Sequence, residues 1–376
     1  LGFIQLRFVV GLFKRFLVFV LFWRRGSRPE VEFVEKSVDL NEESEEGARA
    51  LQLHVEHEGG GILVQRGRWE EGSPADSVDP SETRRSLVAQ LYLLRDELTN
   101  KTDIDFIERL LRVVSIETLE FPPFPDVARK LDRLLSRGDP SMFQVVRLVE
   151  RDPSLVRRIW SAGSGAAYVH PPNSLHHAIA RIGFDALWRI GMSICVHSPV
   201  FRVAGYQREA DDAREHGVLV ADLAAWMSGE KRGEIYLSGL LHDIGKLVVY
   251  RAASVRDASD RPSPTLVKAV MNRFHSSIGQ LATNAWNLGS NVNTAVGFHH
   301  APNDERSSRE AIIVWAADVA EITARLERRG IECSGLKALD DIKEHLPRSP
   351  GEIISKAREF VAAAEKERES LDRASG

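Results

Sequence analysis

The sequence predicts an all-α fold over most of its length, and three observations carry that expectation. From about residue 82 onward apolar residues recur at helical spacing almost without interruption; proline and aspartate punctuate the repeats where helices would start; and the strand-like alternation that does occur is confined to a short stretch between residues 51 and 64. With 376 residues, 43% of them hydrophobic, the chain can bury a sizeable core. Lys+Arg of 50 against Asp+Glu of 54 gives a net charge of -4, so there is no chain-wide basic field for nonspecific nucleic-acid binding, and a nucleic-acid partner is not expected. The two cysteines, Cys195 and Cys333, lie far apart and form no C-x-x-C, which excludes a disulfide framework and a thiolate zinc site and suits a reducing cytoplasm.

Residues 1–25 depart most from the average, with six phenylalanines and a tryptophan before residue 24 and no acid. A spanning helix needs roughly 20 apolar residues, and a Lys or Arg at its centre costs about 2.5 to 3.5 kcal/mol. Lys14 and Arg15 fall there. On a helix they join Arg7 in a basic stripe on an apolar cylinder, the pattern of a helix lying in an anionic membrane interface. A spanning anchor and mistranslated upstream sequence are the alternatives, since the chain opens on Leu1, which fits an alternative start codon or a truncation. A secretory signal is disfavoured by the internal charges and the lack of a small-residue cleavage site. The expected location is therefore the cytoplasm, at the inner face of the membrane where residues 1–25 engage it.

Residues 26–81 turn acidic and glycine-rich, with Glu42, Glu43, Glu45 and Glu46 in one run, and read as a solvated linker. Within it Leu51, Leu53 and Val55 alternate with polar neighbours ahead of Gly59–Gly61 and Ile62–Val64, which predicts one small β-hairpin. The glycine run has no following GK[ST], so it is not a phosphate loop. Residues 82–116 form a helical connector: Leu87, Leu91, Leu94 and Leu98 make one stripe and Ile107, Leu110, Leu111 and Val114 another. Further on, Asp139-Pro140 and Asp152-Pro153 each put a capping acid before a proline suited to a first helical turn.

The histidines carry the chemistry. His216, His242-Asp243, His275, His299-His300 and Asp318 are spread over four predicted helices and make an N/O ligand set suited to Mn, Fe, Co, Ni or Zn rather than Ca. Their faces single them out: His275 shares one with Met271, Ile278 and Ala282, and His216 one with Leu219, Leu223 and Met227. Asp318 lies on the stripe of Ala311, Val314, Trp315 and Ile322, where an ionised carboxylate is costly unless paired or bound to a cation. The competing reading makes each histidine a hydrogen-bonded core residue.

Three segments, FPPFPDVARKLDRLLSRGDPSMFQVVRLVERDPSLVRRIW, NSLHHAIARIGFDALWRIGMSI and LSGLLHDIGKLVVY, resemble the HDOD domain, the HD-related output domain of bacterial signalling proteins, within the HD metal-dependent phosphohydrolase superfamily. The resemblance covers roughly residues 117–328, leaving 329–376 as C-terminal helices. It rests on Pro122, Pro123 and Pro125, on Arg151-Asp152-Pro153, on Ala178-Ile179 with Gly183 at a later turn, and on LLHDIGK. One departure is SAGSGAAY at 161–168, where such domains usually carry an Asn-Ser pair. The family implies an HD-like multi-helix bundle and a signal-transduction output module with signalling proteins as partners.

The candidate ligands fall in the order in which the superfamily places H…HD…H…H…D. By that resemblance His216, His242, Asp243 and Asp318 would hold a first divalent transition metal, and Asp243 would bridge to a second ion held by His275, His299 and His300. Asp243 and Lys246 would be the catalytic pair, with Lys246 facing the phosphate of a ligand; the alternative for Lys246 is a solvated lysine. The alternative function is a metal-dependent phosphohydrolase acting on a nucleotide or cyclic nucleotide. APNDERSS after the HH pair lacks Gly-Tyr-Pro and so matches the HD-GYP subfamily poorly. His176-His177 is an internal control, an adjacent pair that matches no ligand position. His54, His57 and His345 sit in polar contexts and read as surface, while His170 and His197 receive no role.

Overall fold

A computed structural model describes residues 79–115, 124–137, 140–164, 170–197, 201, 203–230, 233–331 and 333–375. Segment 1–25, the linker with its expected hairpin up to residue 78, Pro122, Pro123, Asp139 and residues 165–168 lie outside them. Among the described residues every regular element is helical and no strand occurs, so the fold is all-α. No helix among them is long and apolar enough to cross a membrane.

Capping chemistry sets the first boundary. Asp79 accepts a hydrogen bond from the Ser81 amide at 2.9 Å ahead of Pro80, and α1 (Pro80–Glu97) follows. It buries Leu87, Leu91 and Leu94 but stops before Leu98, which becomes the C-cap and is only half-buried. Helix α2 (Lys101–Ser115) buries Ile107, Leu110, Leu111 and Val114 as its period predicts.

Three short helices follow, α3 (Asp126–Leu135), α4 (Met142–Val149) and α5 (Pro153–Gly163), all packed on the long α6 (Leu175–His197). Helix α5 starts where expected, with Asp152 Oδ1 accepting from the amides of Ser154 at 2.9 Å and Leu155 at 3.1 Å. Helix α4 does not start at Pro140. It begins at Met142, because Ser141 is still extended (φ -61, ψ 119) and takes the N-cap position. Gly183 interrupts α6 with φ 77 and ψ 168, a left-handed-side conformation that favours glycine, so the chain turns there as anticipated. Trp188 on α6 donates to Asp132 of α3 at 2.8 Å and packs edge-on against Tyr236, which couples this half to the next.

The second half contains α7 (Gln207–Ser228), α8 (Glu234–Leu241), α9 (Ile244–Ala253), α10 (Pro264–Ala285), α11 (Ser290–Phe298) and α12 (Arg309–Arg328). Two more helices, α13 (Gly335–Asp341) and α14 (Pro350–Ser375), pack on α12. Helix α12 is buried at every residue from Ala311 to Thr323 because α7, α8, α11, α13 and α14 all contact it. A helix buried all round lies in the middle of a bundle, and the acids Asp318 and Glu321 are buried with it. Helices α1 and α2 dock on α10 and α9, where Asp103 accepts from the Ser263 amide at 2.7 Å and so anchors the start of α10.

Candidate metal centre

The site forms where six helices converge. His216 projects from α7, His242 is the C-cap of α8, Asp243 is the N-cap of α9, His275 lies on α10, His299 is the C-cap of α11 with His300 beside it, and Asp318 lies on α12. Glycines adjacent to these residues let the backbones approach. A Cβ on Gly245 would overlap the His275 carbonyl oxygen and stand 2.9 Å from the Gly279 nitrogen, so α9 and α10 cross in direct backbone contact. A Cβ on Gly239 would stand 2.7 Å from Ala221 Cα, which fixes the α7–α8 crossing in the same way. Both close approaches lie within a turn of a candidate ligand and bring opposing side chains within metal-binding reach.

The resulting cluster has two lobes joined at Asp243, one with His275, His299 and His300 and one with His216 and His242. Asp243 Oδ1 is 3.3 Å from His275 Nε2 and 3.8 Å from His299 Nε2, whereas Oδ2 is 3.3 Å from His242 Nε2 and 3.7 Å from His216 Nε2. Asp318 Oδ1 lies 3.1 Å from His216 Nε2. His300 Nε2 lies 2.8 Å from His275 Nε2. The structure therefore brings all seven sequence-predicted ligand residues together. Lys246 stands at the edge, 24% exposed, with Nζ 2.7 Å from Asp243 Oδ2.

Tautomers decide what this cluster can bind. The Nδ1 atoms of His242, His275 and His299 each lie 2.7 Å from a backbone carbonyl, of Gly239, Met271 and Val296 respectively. A carbonyl only accepts, so each Nδ1 carries the proton and each Nε2 presents a lone pair. Yet Nε2 of His275 and His299 face each other at 3.3 Å, a repulsive pairing unless a cation sits among them. Both carboxylate oxygens of Asp243 are buried; Oδ2 is ion-paired with Lys246, and Oδ1 accepts no hydrogen bond among the described residues. Inward-facing imidazole lone pairs around a buried, ionised carboxylate fit a divalent transition metal.

The electrostatics agree. Burial, reinforced by neighbouring His300, holds His275 and His299 well below the ordinary imidazole range, keeping them neutral as ligands must be. Burial opposes ionisation of Asp243, but its charged neighbours, foremost the Lys246 ammonium, outweigh it and hold the carboxyl well below the usual range. Asp318 is likewise held low against burial by its hydrogen bond and charge contact with His216. Burial pushes the His216 ring down, but the carboxylates of Glu321 and Asp318 prevail and push it up to about 10. Its position therefore favours a positive charge, for which a proton and a metal ion compete.

Glu321 was not anticipated from the sequence. It is 2% exposed, its Oε2 lies 2.9 Å from His216 Nδ1, and Arg325 one turn on pairs with its other oxygen. The available signal was a second acid three residues after Asp318 on the same buried stripe. The control pair behaves differently from the cluster. His177 Nδ1 bonds to Asn173 Oδ1 at 2.9 Å and its Nε2 accepts from Arg181 at 3.0 Å, so both ring nitrogens are satisfied locally; His176 is exposed. His345 is half-buried and His170 exposed, and neither joins the cluster.

With that geometry in place, comparison with known proteins locates the domain. A curated relative, an uncharacterized protein of Treponema pallidum (strain Nichols), is 21% identical over 194 residues, or 48% of this chain. The chain spans 38% of that relative's length. Two crystal structures share 17% and 18% identity, with TM-scores of 0.49 and 0.48. One is a candidate metal-dependent phosphohydrolase from Shewanella amazonensis SB2B, over 75% of this chain and 99% of that one. The other is an HDOD domain protein with unknown function from Geobacter sulfurreducens, over 78% and 97%. The HDOD domain family model matches residues 121–302, ending just after His300, so that the α12 acids Asp318 and Glu321 lie beyond it. This chain carries an HDOD domain over residues 121–302.

Proposed function

We propose that the chain is an HDOD signal-transduction output module that holds one or two divalent transition-metal ions, from the set Mn, Fe, Co, Ni and Zn. The observation that carries the metal is the set of imidazole lone pairs turned inward on the buried Asp243 carboxylate, whose oxygens face both lobes and whose Oδ2 is paired with the Lys246 ammonium. His216, His242, Asp243 and Asp318 would hold one ion, and Asp243, His275, His299 and His300 the other. The signalling role rests on the family. On this reading the partners are signalling proteins, and residues 1–25 would meet an anionic membrane surface.

A specific observation favours a second reading, hydrolysis of a phosphate ester of the nucleotide or cyclic-nucleotide class. Lys246 is part-exposed beside the buried Asp243, and His216 at 14% exposure also reaches the surface, so a ligand phosphate arriving from solvent would meet a cation at the mouth of the cluster. Bound metals would supply an activated water and neutralise phosphoryl charge. The chain's own contribution is to orient the imidazoles through their Nδ1 bonds and to present the Lys246 ammonium to the phosphate.

The test is a turnover screen of the full chain loaded in turn with Mn²⁺, Co²⁺ and Zn²⁺, against a generic phosphodiester, nucleotides and cyclic nucleotides. An output module binds metal and releases no product above background. Metal-dependent product formation that falls at least about tenfold in Lys246→Ala would assign the hydrolase reading instead.

A further inference from the structure

The imidazoles of the cluster are not all held in the same way. His242, His275 and His299 are oriented by backbone carbonyls of their own helices, three or four residues back. His216 has no such anchor: its Nδ1 meets the carboxylate of Glu321, 105 residues away on another helix. The same helix, α12, presents Asp318 to the opposite ring nitrogen, with 3.1 Å at Nε2 and 2.9 Å at Nδ1. Asp318 and Glu321 are three residues apart, so one turn of α12 grips both edges of the His216 ring. Glu321 is itself held, since Arg325 pairs with its second oxygen and also reaches Glu215, the residue before His216.

We infer that Glu321 is the positioning residue of the metal centre: its hydrogen bond to Nδ1 fixes the His216 tautomer and turns Nε2 toward the ion, with Arg325 locking the carboxylate in place. The inference rests on the metal reading above and adds to it, because Glu321 is too far round the ring to bind the ion with His216 Nε2 and acts through the imidazole. A carboxylate behind a histidine ligand raises the ligand's basicity and fixes its orientation, and its loss typically costs about 10- to 100-fold in metal affinity.

Co²⁺ alone is a sufficient probe. The full-length wild-type chain, Glu321→Gln and Glu321→Ala are stripped with chelator and titrated with Co²⁺, following affinity by chelator competition and the ligand field by visible absorption. Glutamine can still accept the Nδ1–H bond but brings no charge, so the expected order is a roughly tenfold loss for Glu321→Gln and about 100-fold for Glu321→Ala, with a changed absorption band in the latter. A residue that merely packed α12 against α7 would change stability without grading Co²⁺ affinity. Folded variants that both bind Co²⁺ within twofold of wild type overturn the inference while leaving the metal centre standing. If Glu321→Ala does not fold, Glu321→Gln decides alone by the same twofold limit. A wild-type chain that takes up no Co²⁺ overturns the metal reading, and this inference with it.

Discussion

Gly245→Ala is expected to destabilise the metal-free protein by about 3 kcal/mol and to weaken metal binding at least tenfold. The added methyl would overlap the His275 carbonyl oxygen and crowd the Gly279 amide nitrogen, both backbone atoms that no rotamer change can remove, so α9 and α10 must move apart. Asp243 rides on the start of α9 and His275 on α10, and their present separation of 3.3 Å is what that contact maintains. Gly351→Ala serves as the control: nothing lies within 4 Å of its added methyl, so the change should be neutral or slightly stabilising. Denaturant unfolding of both variants in chelator, followed by metal titration, checks the pair. Equal midpoints for Gly245→Ala and wild type would show that the α9–α10 contact is not tight.

The second large effect is metal removal. A ligand that binds only the folded state stabilises it by RT ln(1 + [L]/Kd), about 4 kcal/mol at a thousandfold excess over Kd. The cluster joins α7, the α8–α9 turn, α10, α11 and α12, so the ion should couple to global unfolding and not only to a local loop. Chelator is therefore expected to lower the unfolding midpoint of wild type and of His177→Ala alike. Asp243→Ala, which removes the carboxylate shared by both lobes, should unfold at a midpoint that metal no longer moves; His242→Ala and Asp318→Ala should retain at most a fraction of the shift. The informative quantity is the difference between the metal-loaded and stripped midpoints of each variant, because it cancels the intrinsic cost of the substitution. A metal-dependent shift of wild-type size in Asp243→Ala would remove Asp243 from the site.

Much of this architecture was legible in the sequence for a definite physical reason. A period of 3.6 residues places His275 with Met271 and Ile278, and Asp318 with Val314 and Ile322, and the structure buries each of those apolar neighbours. A polar side chain on such a stripe announces that something must compensate for its burial. The part that was not legible depends on contacts between helices far apart in sequence. A glycine within LLHDIGK does not reveal that the backbone of residue 275 crosses over it. Glu321 could be seen to lie on the Asp318 face, but its bond to His216 depends on how α7 and α12 dock. Local boundaries divided in the same way. Asp152-Pro153 starts its helix through a cap made by neighbouring residues, whereas Pro140 is followed by an extended Ser141 that delays α4 to Met142.

Elemental analysis of the full chain, purified without chelator or a metal-affinity tag, tests the central claim most directly. The account predicts one to two equivalents of a transition metal per chain, lost together in Asp243→Ala and retained in His177→Ala. Metal-free protein that also fails to take up Mn²⁺, Co²⁺ or Zn²⁺ on titration, with the stability of Asp243→Ala unchanged, would contradict it and leave these histidines as hydrogen-bonded core residues.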